Sequence, residues 1–100
     1  MILRLIIYDI ENDRYRTKLA DTLEARGLVR LQKSVFAGRH PQHQWQKIWA
    51  SIQELHKKRG GEQDKVYSMI ISKQMYKAMH FLGTPPPIDD VAEDKIMMWI

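Results

Sequence analysis

A chain of 100 residues is long enough for one small domain and too short for two of ordinary size. Its 44% hydrophobic and 28% charged residues, with a net charge of +4, are typical of a globular protein. The absence of cysteine excludes disulfides and thiolate zinc sites, and no apolar run approaches the ~20 residues that span a bilayer. No signal peptide is visible, so we expect a cytoplasmic protein with no membrane partner.

Charge divides the chain into a basic body and an acidic tail. Residues 1–59 contain 12 Lys/Arg and 6 Asp/Glu, a net charge of +6, whereas residues 60–100 contain 4 and 6, a net charge of −2. The two sum to the +4 of the whole chain. Such a body favours a polyanionic partner. A solvated basic surface is the equally weighted alternative, because net charge bears on association and not on fold.

The first predicted element is a strand over residues 2–10. From Leu5 to Tyr8 its residues are apolar at consecutive positions. A strand covered on both faces belongs in the middle of a sheet. A carboxylate, Asp9, follows where the strand should end. This residue either takes part in chemistry or caps the exit of the chain into a loop, and the pattern alone favours the cap.

A helix is predicted over about residues 13–26. Asn12 can cap its start, and Gly27 can end it in the left-handed conformation. Its apolar stripe has the spacing of one helix face and contains Tyr15, Leu19 and Leu23. Three cations lie near the start of the helix, namely Arg14, Arg16 and Lys18. They are either a binding surface or an ordinary solvated face.

Residues 28–37 are predicted to form a second strand with two different faces. One face holds Val29, Leu31 and Val35, and the other holds Arg30, Gln32, Ser34 and Phe36. The second face suits an interface or a nucleic-acid surface better than a core. Lys33 interrupts the apolar face and indicates a bulge or an edge position. Residues 38–41 are predicted to form a loop.

The second predicted helix begins at Pro41 and ends at Gly60-Gly61. Five large apolar residues fall on one of its faces, namely Trp45, Ile48, Trp49, Ile52 and Leu55. At this spacing core packing is much more common than base stacking. The sequence therefore predicts that this helix packs on the sheet.

Shorter elements are predicted after the second helix. They are a strand over residues 64–72, a helical turn over 72–77 and a fourth strand over 78–82. Residues 83–94 are rich in proline and then in acids, and indicate an extended linker. Residues 95–100 are an apolar strand that must dock on its own sheet or on a second copy of the chain.

The predicted order β-α-β-α-β-β indicates an α+β sandwich with a sheet of the ferredoxin-like, β-α-β-β-α-β type. Its main domain comprises residues 1–82, and residues 83–100 form the linker and C-terminal strand. Both helices would cover one face of the sheet. The other face would be free of helices, and small domains commonly dimerise through such a face.

Two stretches of the sequence together resemble a known family. The first strand ends in Tyr8-Asp9-Ile10 and precedes a polar cluster and an arginine-bearing helix. The run from Gly27 to Gly38 reads GLVRLQKSVFAG. Together these resemble the CRISPR-associated endonuclease family Cas2, the small adaptation subunit that partners the Cas1 integrase. The resemblance covers almost the whole chain and is strongest over residues 1–38.

The resemblance implies a ferredoxin-like homodimer, with an exchanged C-terminal strand, that bridges two Cas1 integrase dimers. Such complexes capture duplex prespacer DNA and insert it at the CRISPR array. Many members are described as magnesium-dependent endonucleases that act on RNA or DNA. The matching carboxylate is Asp9, whose two copies would hold one Mg²⁺ or Mn²⁺ ion at the dimer interface and serve in catalysis. The positions that match the family's nucleic-acid contacts are Arg16, Lys18, Arg30 and Phe36, and the basic cluster near the start of the first helix adds Arg14 to these candidate contacts.

Several alternatives stay open at this stage. The protein is either a nuclease or a non-catalytic scaffold for integration, and a toxin-like metal-dependent endoribonuclease is the nearest other function. A small-ligand regulatory domain on the same sheet ranks last, because the chain has no glycine-rich loop. Phe36 is as readily an ordinary packing residue as an interface or stacking residue.

Overall fold

The structure is a computed structural model that describes residues 1–85. Its elements, in chain order, are β1 (Ile2–Asp9), α1 (Asp13–Ala25), β2 (Val29–Gln32), β3 (Val35–His40), α2 (Gln42–Arg59), β4 (Lys65–Ile70) and a short α3 (Lys73–Lys77). The strands form one sheet in the order β2-β3-β1-β4, and every neighbouring pair is antiparallel. The protein is therefore a mixed α+β domain.

The first strand has the central position that its apolar run predicts. β1 pairs with β3 on one side and with β4 on the other. Ile6 and Tyr8 are buried on the face that α1 and α2 cover, and Leu3 is buried on the opposite face. Burial on both faces explains why apolar residues stand at consecutive positions.

Both long helices pack on the same face of the sheet, as predicted. α1 begins where Asn12 Oδ1 accepts a hydrogen bond from the Tyr15 N–H at 2.8 Å. It ends next to Gly27, whose φ of +85° is a conformation that residues other than glycine rarely adopt. The core between helices and sheet includes Tyr15, Leu19, Leu23, Trp45, Ile48 and Ile52.

The region from residue 28 to residue 40 differs from the prediction. The predicted single strand 28–37 is two strands, β2 and β3, joined by a turn at Lys33 and Ser34. Residues 38–40, predicted as a loop, belong to β3. The turn was missed because it lacks the glycine, asparagine, aspartate or proline that usually marks one. The edge position and irregular pairing indicated by Lys33 are present, because β2 is an edge strand with a register shift between Arg30 and Gln32.

Val29 and Leu31 lie on one face of the sheet and Arg30 and Phe36 on the other, as predicted, but the helices cover the face that was expected to be free of them. Phe36 is fully buried on the face covered by α1 and α2, where its ring stacks with Tyr8 at a centroid distance of 6.2 Å. The opposite face holds the apolar residues Val29 and Leu31. It is not free of helices, because α3 covers part of it. Tyr76 of α3 is buried there against neighbouring sheet residues.

The end of the described chain contains one more difference. The predicted fourth strand over residues 78–82 is wrong, since residues 78–85 contain no strand. The fourth strand of the sheet is β4, which was predicted as the third strand. The predicted C-terminal strand and most of the linker lie outside the described residues. No helix within residues 1–85 is long and apolar enough to cross a membrane.

Candidate functional site

The candidate carboxylate, Asp9, is exposed at the end of β1. Its Cα lies opposite that of Lys65 in the ladder between β1 and β4. Alternation along the strand places Asp9 on the face that points away from α1 and α2, because Tyr8 and Ile10 are buried on the helix side. Within residues 1–85 Asp9 forms no ion pair or side-chain hydrogen bond, so its two oxygens are available to a ligand.

An apolar surface adjoins Asp9 on the same face of the sheet. Leu5 and Ile7 of β1 are half-buried there. Their register partners on β4 are Met69 and Tyr67, which are 48% and 59% exposed. Large apolar side chains left in solvent beside one another commonly mark an interaction surface. We call Leu5, Ile7, Tyr67 and Met69 the sheet patch.

A metal ion would need more ligands than residues 1–85 of one chain supply at this point. Among residues 1–85 no group of three or more His, Asp or Glu side chains is placed to hold a metal ion. Mg²⁺ prefers six oxygen ligands in octahedral geometry and usually keeps several waters. One free carboxylate is therefore only part of such a site, and waters, phosphate oxygens or a carboxylate from another chain would have to supply the remaining ligands.

The three cations near the start of α1 have different environments. Arg16 turns back to the loop between β1 and α1, where it forms an ion pair with Asp13 and donates a hydrogen bond to the Ile10 carbonyl at 2.9 Å. Arg14 and Lys18 are exposed on another side of the helix. Arg16 therefore stabilises the loop that follows Asp9, and Arg14 and Lys18 are left for a partner.

Arg14 and Lys18 line a surface groove between the start of α1 and the end of α2. The residue from α2 is Arg59, and α1 adds two acids, Asp13 and Asp21. The helices run in opposite directions, as the 2.6 Å contact between the Tyr15 hydroxyl and His56 Nδ1 shows. Burial, and then the Asp64 carboxylate, raise the pKa of Tyr15 to about 12, so this hydroxyl stays neutral. Sequence analysis missed Arg59 because only the packing of the helices brings it to this groove.

Arg30 and Phe36 form one packing unit. The Arg30 guanidinium lies 5.1 Å from the centre of the Phe36 ring and 3.7 Å from Glu24. It also donates a hydrogen bond to the Lys33 carbonyl at 3.2 Å, which holds the turn between β2 and β3. Arg30 is about half exposed and can still reach a partner, whereas Phe36 is fully buried. Phe36 is therefore an ordinary packing residue and not an interface or stacking residue.

One acidic residue that sequence analysis did not select holds the loops beside Asp9. Asp64 accepts a hydrogen bond from the Gly61 N–H at 2.8 Å and another from the Glu11 N–H at 3.0 Å. These two backbone hydrogen bonds, that of Gly61 first, lower the pKa of the Asp64 carboxyl below its usual value. Asp64 thus joins the loop before β4 to the loop after β1.

We expect Asp64→Asn to destabilise the protein at neutral pH and to flatten its unfolding profile in acid. A carboxyl with a lowered pKa stabilises the fold above its ordinary pKa of about 4, and that stability is lost as the pH falls through the lower folded value. The difference between the wild type and Asp64→Asn should therefore shrink below about pH 4. Urea unfolding from pH 7 to pH 2 measures it. Glu62→Gln, an exposed acid in the same loop, is the matched control; an equal effect of both changes would contradict the prediction.

Comparison with known proteins gives a family match over most of the chain. The model of the family described as "CRISPR associated protein Cas2" matches residues 1–79. The "CRISPR-associated endoribonuclease Cas2" of Aeropyrum pernix is 31% identical over 83 residues, which cover 83% of this chain and 87% of that protein. "CRISPR-associated endoribonuclease Cas2 2" of Pyrobaculum aerophilum is 54% identical over 35 residues, which cover 35% of this chain and only 38% of that relative.

A similar fold occurs in a solved assembly. One chain of a partial Cas6-RT-Cas1–Cas2 complex superposes with a TM-score of 0.71 and is 26% identical. The match covers 87% of this chain and 97% of that chain. Most of the described fold is therefore shared with that chain.

Proposed function

The chain belongs to the CRISPR-associated Cas2 family, and on that premise we propose that it is a subunit of the CRISPR adaptation complex. In this proposal a homodimer binds duplex prespacer DNA and bridges Cas1 integrase dimers during spacer integration. The observation that carries the proposal is the position of one free carboxylate, Asp9, beside an exposed apolar patch on the sheet. The similar chain in a complex that contains Cas1 supports the partner.

The ferredoxin-like assignment is part of this proposal. The elements β1 to β4 with α1 and α2 follow the order β-α-β-β-α-β, and the sheet order is β2-β3-β1-β4. Each helix connects two strands that are not neighbours in the sheet, and both helices lie on one face. This arrangement supports a split βαβ fold.

The proposed dimer is formed through the sheet patch. A two-fold axis through this face would place the same surface of each chain against its copy and cover Tyr67 and Met69. Since Asp9 lies at the margin of the same face, the axis would also bring the two carboxylates together. Without a cation two such carboxylates would repel each other. Their pairing favours one shared Mg²⁺ or Mn²⁺ ion, with waters and phosphate oxygens as the remaining ligands.

The chemistry of this site would be phosphodiester hydrolysis. A bound Mg²⁺ or Mn²⁺ ion would supply a more acidic water and neutralise charge on the phosphate. The two Asp9 side chains would hold and orient the ion, and Arg14 and Lys18 would bind flanking phosphates of the nucleic acid. Relatives named endoribonucleases support the nuclease as one alternative. A toxin-like endoribonuclease and a non-catalytic scaffold are the two other candidates that this site accommodates.

The variant Asp9→Ala separates the nuclease from the scaffold. If the protein is a metal-dependent nuclease, the change should abolish Mn²⁺- and Mg²⁺-dependent cleavage of labelled RNA and DNA, because Asp9 is the proposed metal ligand of each chain. The control Glu62→Ala also removes an exposed acid and should cleave as the wild type does. Cleavage that survives in Asp9→Ala would contradict a catalytic Asp9. Spacer acquisition by Asp9→Ala in cells, without cleavage, would favour the scaffold.

The C-terminal segment completes the proposal. β4 is an edge strand of the sheet formed by residues 1–85, and its outer hydrogen-bonding groups are open to another strand. We assign that role to residues 95–100 of the partner chain, connected by the linker that begins at residue 83. We also propose that the acidic linker and this strand form the surface that binds Cas1. Deletion of residues 88–100 tests both the exchange and the binding of Cas1. Unchanged dimer stability and retained co-purification with Cas1 would contradict it.

A further inference from the structure

The last turn of α2 carries more positive charge than any other turn of the two long helices. It contains His56, Lys57, Lys58 and Arg59, whereas the last turn of α1 has no basic residue. Cations at a helix C-terminus complement the helix dipole, and this accounts for one or two of them. The dipole does not explain why Lys58 and Arg59 line grooves that they share with residues of α1.

Two neighbouring grooves follow the seam between α1 and α2. The first, of about 490 Å³, is lined by Arg14, Lys18 and Arg59, and the second, of about 520 Å³, by Lys18, Lys58 and Arg59. Lys18 and Arg59 line both, so the two grooves adjoin each other on the outer surface of the helices. We call the two grooves together the seam groove.

The charges of the seam groove are only partly balanced. Its four cations, Arg14, Lys18, Lys58 and Arg59, form no ion pair with any of residues 1–85. Three acids line it, and one of these, Asp13, is paired with Arg16. The two others are Asp21 and Glu54. Four cations against two unpaired acids leave the groove positive. The cations are spread along it, since Arg14 lines only the first groove, Lys58 only the second, and Lys18 and Arg59 both.

Cations spread along a groove fit a ligand whose negative charges are repeated along a line. A single small anion would engage one or two of these side chains and leave the others unused, whereas a nucleic-acid backbone presents a phosphate at each nucleotide. Arg59 joins the two halves of the groove, and its guanidinium can bind two phosphate oxygens at once.

We propose that Lys58 and Arg59, at the end of α2, contact the phosphate backbone of the same nucleic acid that Arg14 and Lys18 bind. The seam groove is then the phosphate-binding surface of each chain, and α2 supplies half of it. This inference rests on the proposed function and adds residues that neither the motif nor the spacing of α1 indicates.

The test uses full-length protein and fluorescein-labelled duplex DNA, with binding followed by anisotropy over a series of salt concentrations. The double variant Lys58→Glu/Arg59→Glu should bind about tenfold more weakly at low salt. The slope of log affinity against log salt should become shallower by the amount that corresponds to the loss of about two phosphate contacts per chain. The control Lys47→Glu/Lys73→Glu makes the same change of net charge at exposed positions outside the seam groove. Affinity and slope equal to those of the control would overturn the proposal.

Two further variants keep the result interpretable. Lys58→Gln/Arg59→Gln removes the charges without reversing them, so it avoids acids at a helix C-terminus and should still lower the slope. The variant Arg14→Glu/Lys18→Glu tests the proposed function itself. If this variant binds weakly and neither α2 variant does, only the role of Lys58 and Arg59 is refuted. If all of them bind as the control does, the proposed nucleic-acid binding fails as well.

Discussion

Replacing Met69 by aspartate should convert the dimer into a monomer without unfolding the chain. Met69 is about half exposed, so in the monomer the change resembles an ordinary surface substitution, worth within about 0.5 kcal/mol. In the proposed dimer it would place an unpaired charge in the sheet patch of both chains. An uncompensated buried charge costs about 3–5 kcal/mol, so the dimer dissociation constant should rise by at least ~100-fold.

Sedimentation equilibrium over a wide range of concentrations measures this dissociation constant. The matched control is Ile70→Asp, which changes the next residue of β4. Ile70 is 65% exposed but points to the other face of the sheet. The control should leave the dimer intact. A Met69→Asp protein that remains as dimeric as the control would show that the chains do not associate through the sheet patch.

Reversing the charges of Arg14 and Lys18 is the change with the second large expected effect. Both side chains are exposed beside a groove and free of ion pairs within residues 1–85, so the monomer should tolerate Arg14→Glu/Lys18→Glu. Duplex affinity at low salt should fall by about 10- to 100-fold, because two phosphate contacts per chain become repulsive. Arg16 is left unchanged, since its ion pair and its hydrogen bond to Ile10 hold the loop after Asp9.

The measurement is anisotropy of a labelled duplex, with Lys47→Glu/Lys73→Glu as the variant of equal net charge. Thermal melts of both variants establish that the fold is retained. If the two variants lose affinity equally, the effect belongs to net charge and not to the position of Arg14 and Lys18. In that case α1 would not form the phosphate-binding surface.

Short sequence patterns were sufficient to predict β1 and the two ends of α1. The continuous apolar run from Leu5 to Tyr8 indicated a central strand. β1 is central, since it lies between β3 and β4, and a different set of buried residues covers each of its faces. The cap at Asn12 and the left-handed Gly27 set the limits of α1 to within one residue. The two ends of a helix depend on the conformational preferences of a few neighbouring residues, and these preferences can be read from the sequence.

Features that depend on pairing were predicted less well. The turn at Lys33 and Ser34 has no glycine, proline, asparagine or aspartate, so β2 and β3 were merged. Phe36 shares a face of the sheet with Arg30, as alternation along the strand predicts, and the missed turn does not change this. Alternation does not indicate which face the helices cover, and α1 and α2 cover the face that holds Phe36.

The candidate site shows the same division. Asp9 could be selected because it lies at the end of an apolar strand and matches the family resemblance. Arg14 and Lys18 could be placed on one exposed face of α1 because they are four residues apart. Arg59 could not be selected, because it meets Arg14 and Lys18 only across two helices. Asp64 could not be selected either, because its contact with Glu11 joins loops that are far apart in sequence. Only the antiparallel packing of α1 and α2 brings Arg59 beside Arg14.

The most direct test of the account measures whether two copies of residue 9 lie together in solution. Because the chain has no cysteine, Asp9→Cys carries one reactive thiol per chain, and Asp21→Cys on the outer surface of α1 carries one at a control position. The account predicts that a short bis-maleimide converts Asp9→Cys into a covalent dimer rapidly and at low protein concentration, and leaves Asp21→Cys uncross-linked. A dimer, confirmed by sedimentation, in which Asp9→Cys does not cross-link would contradict the paired carboxylates.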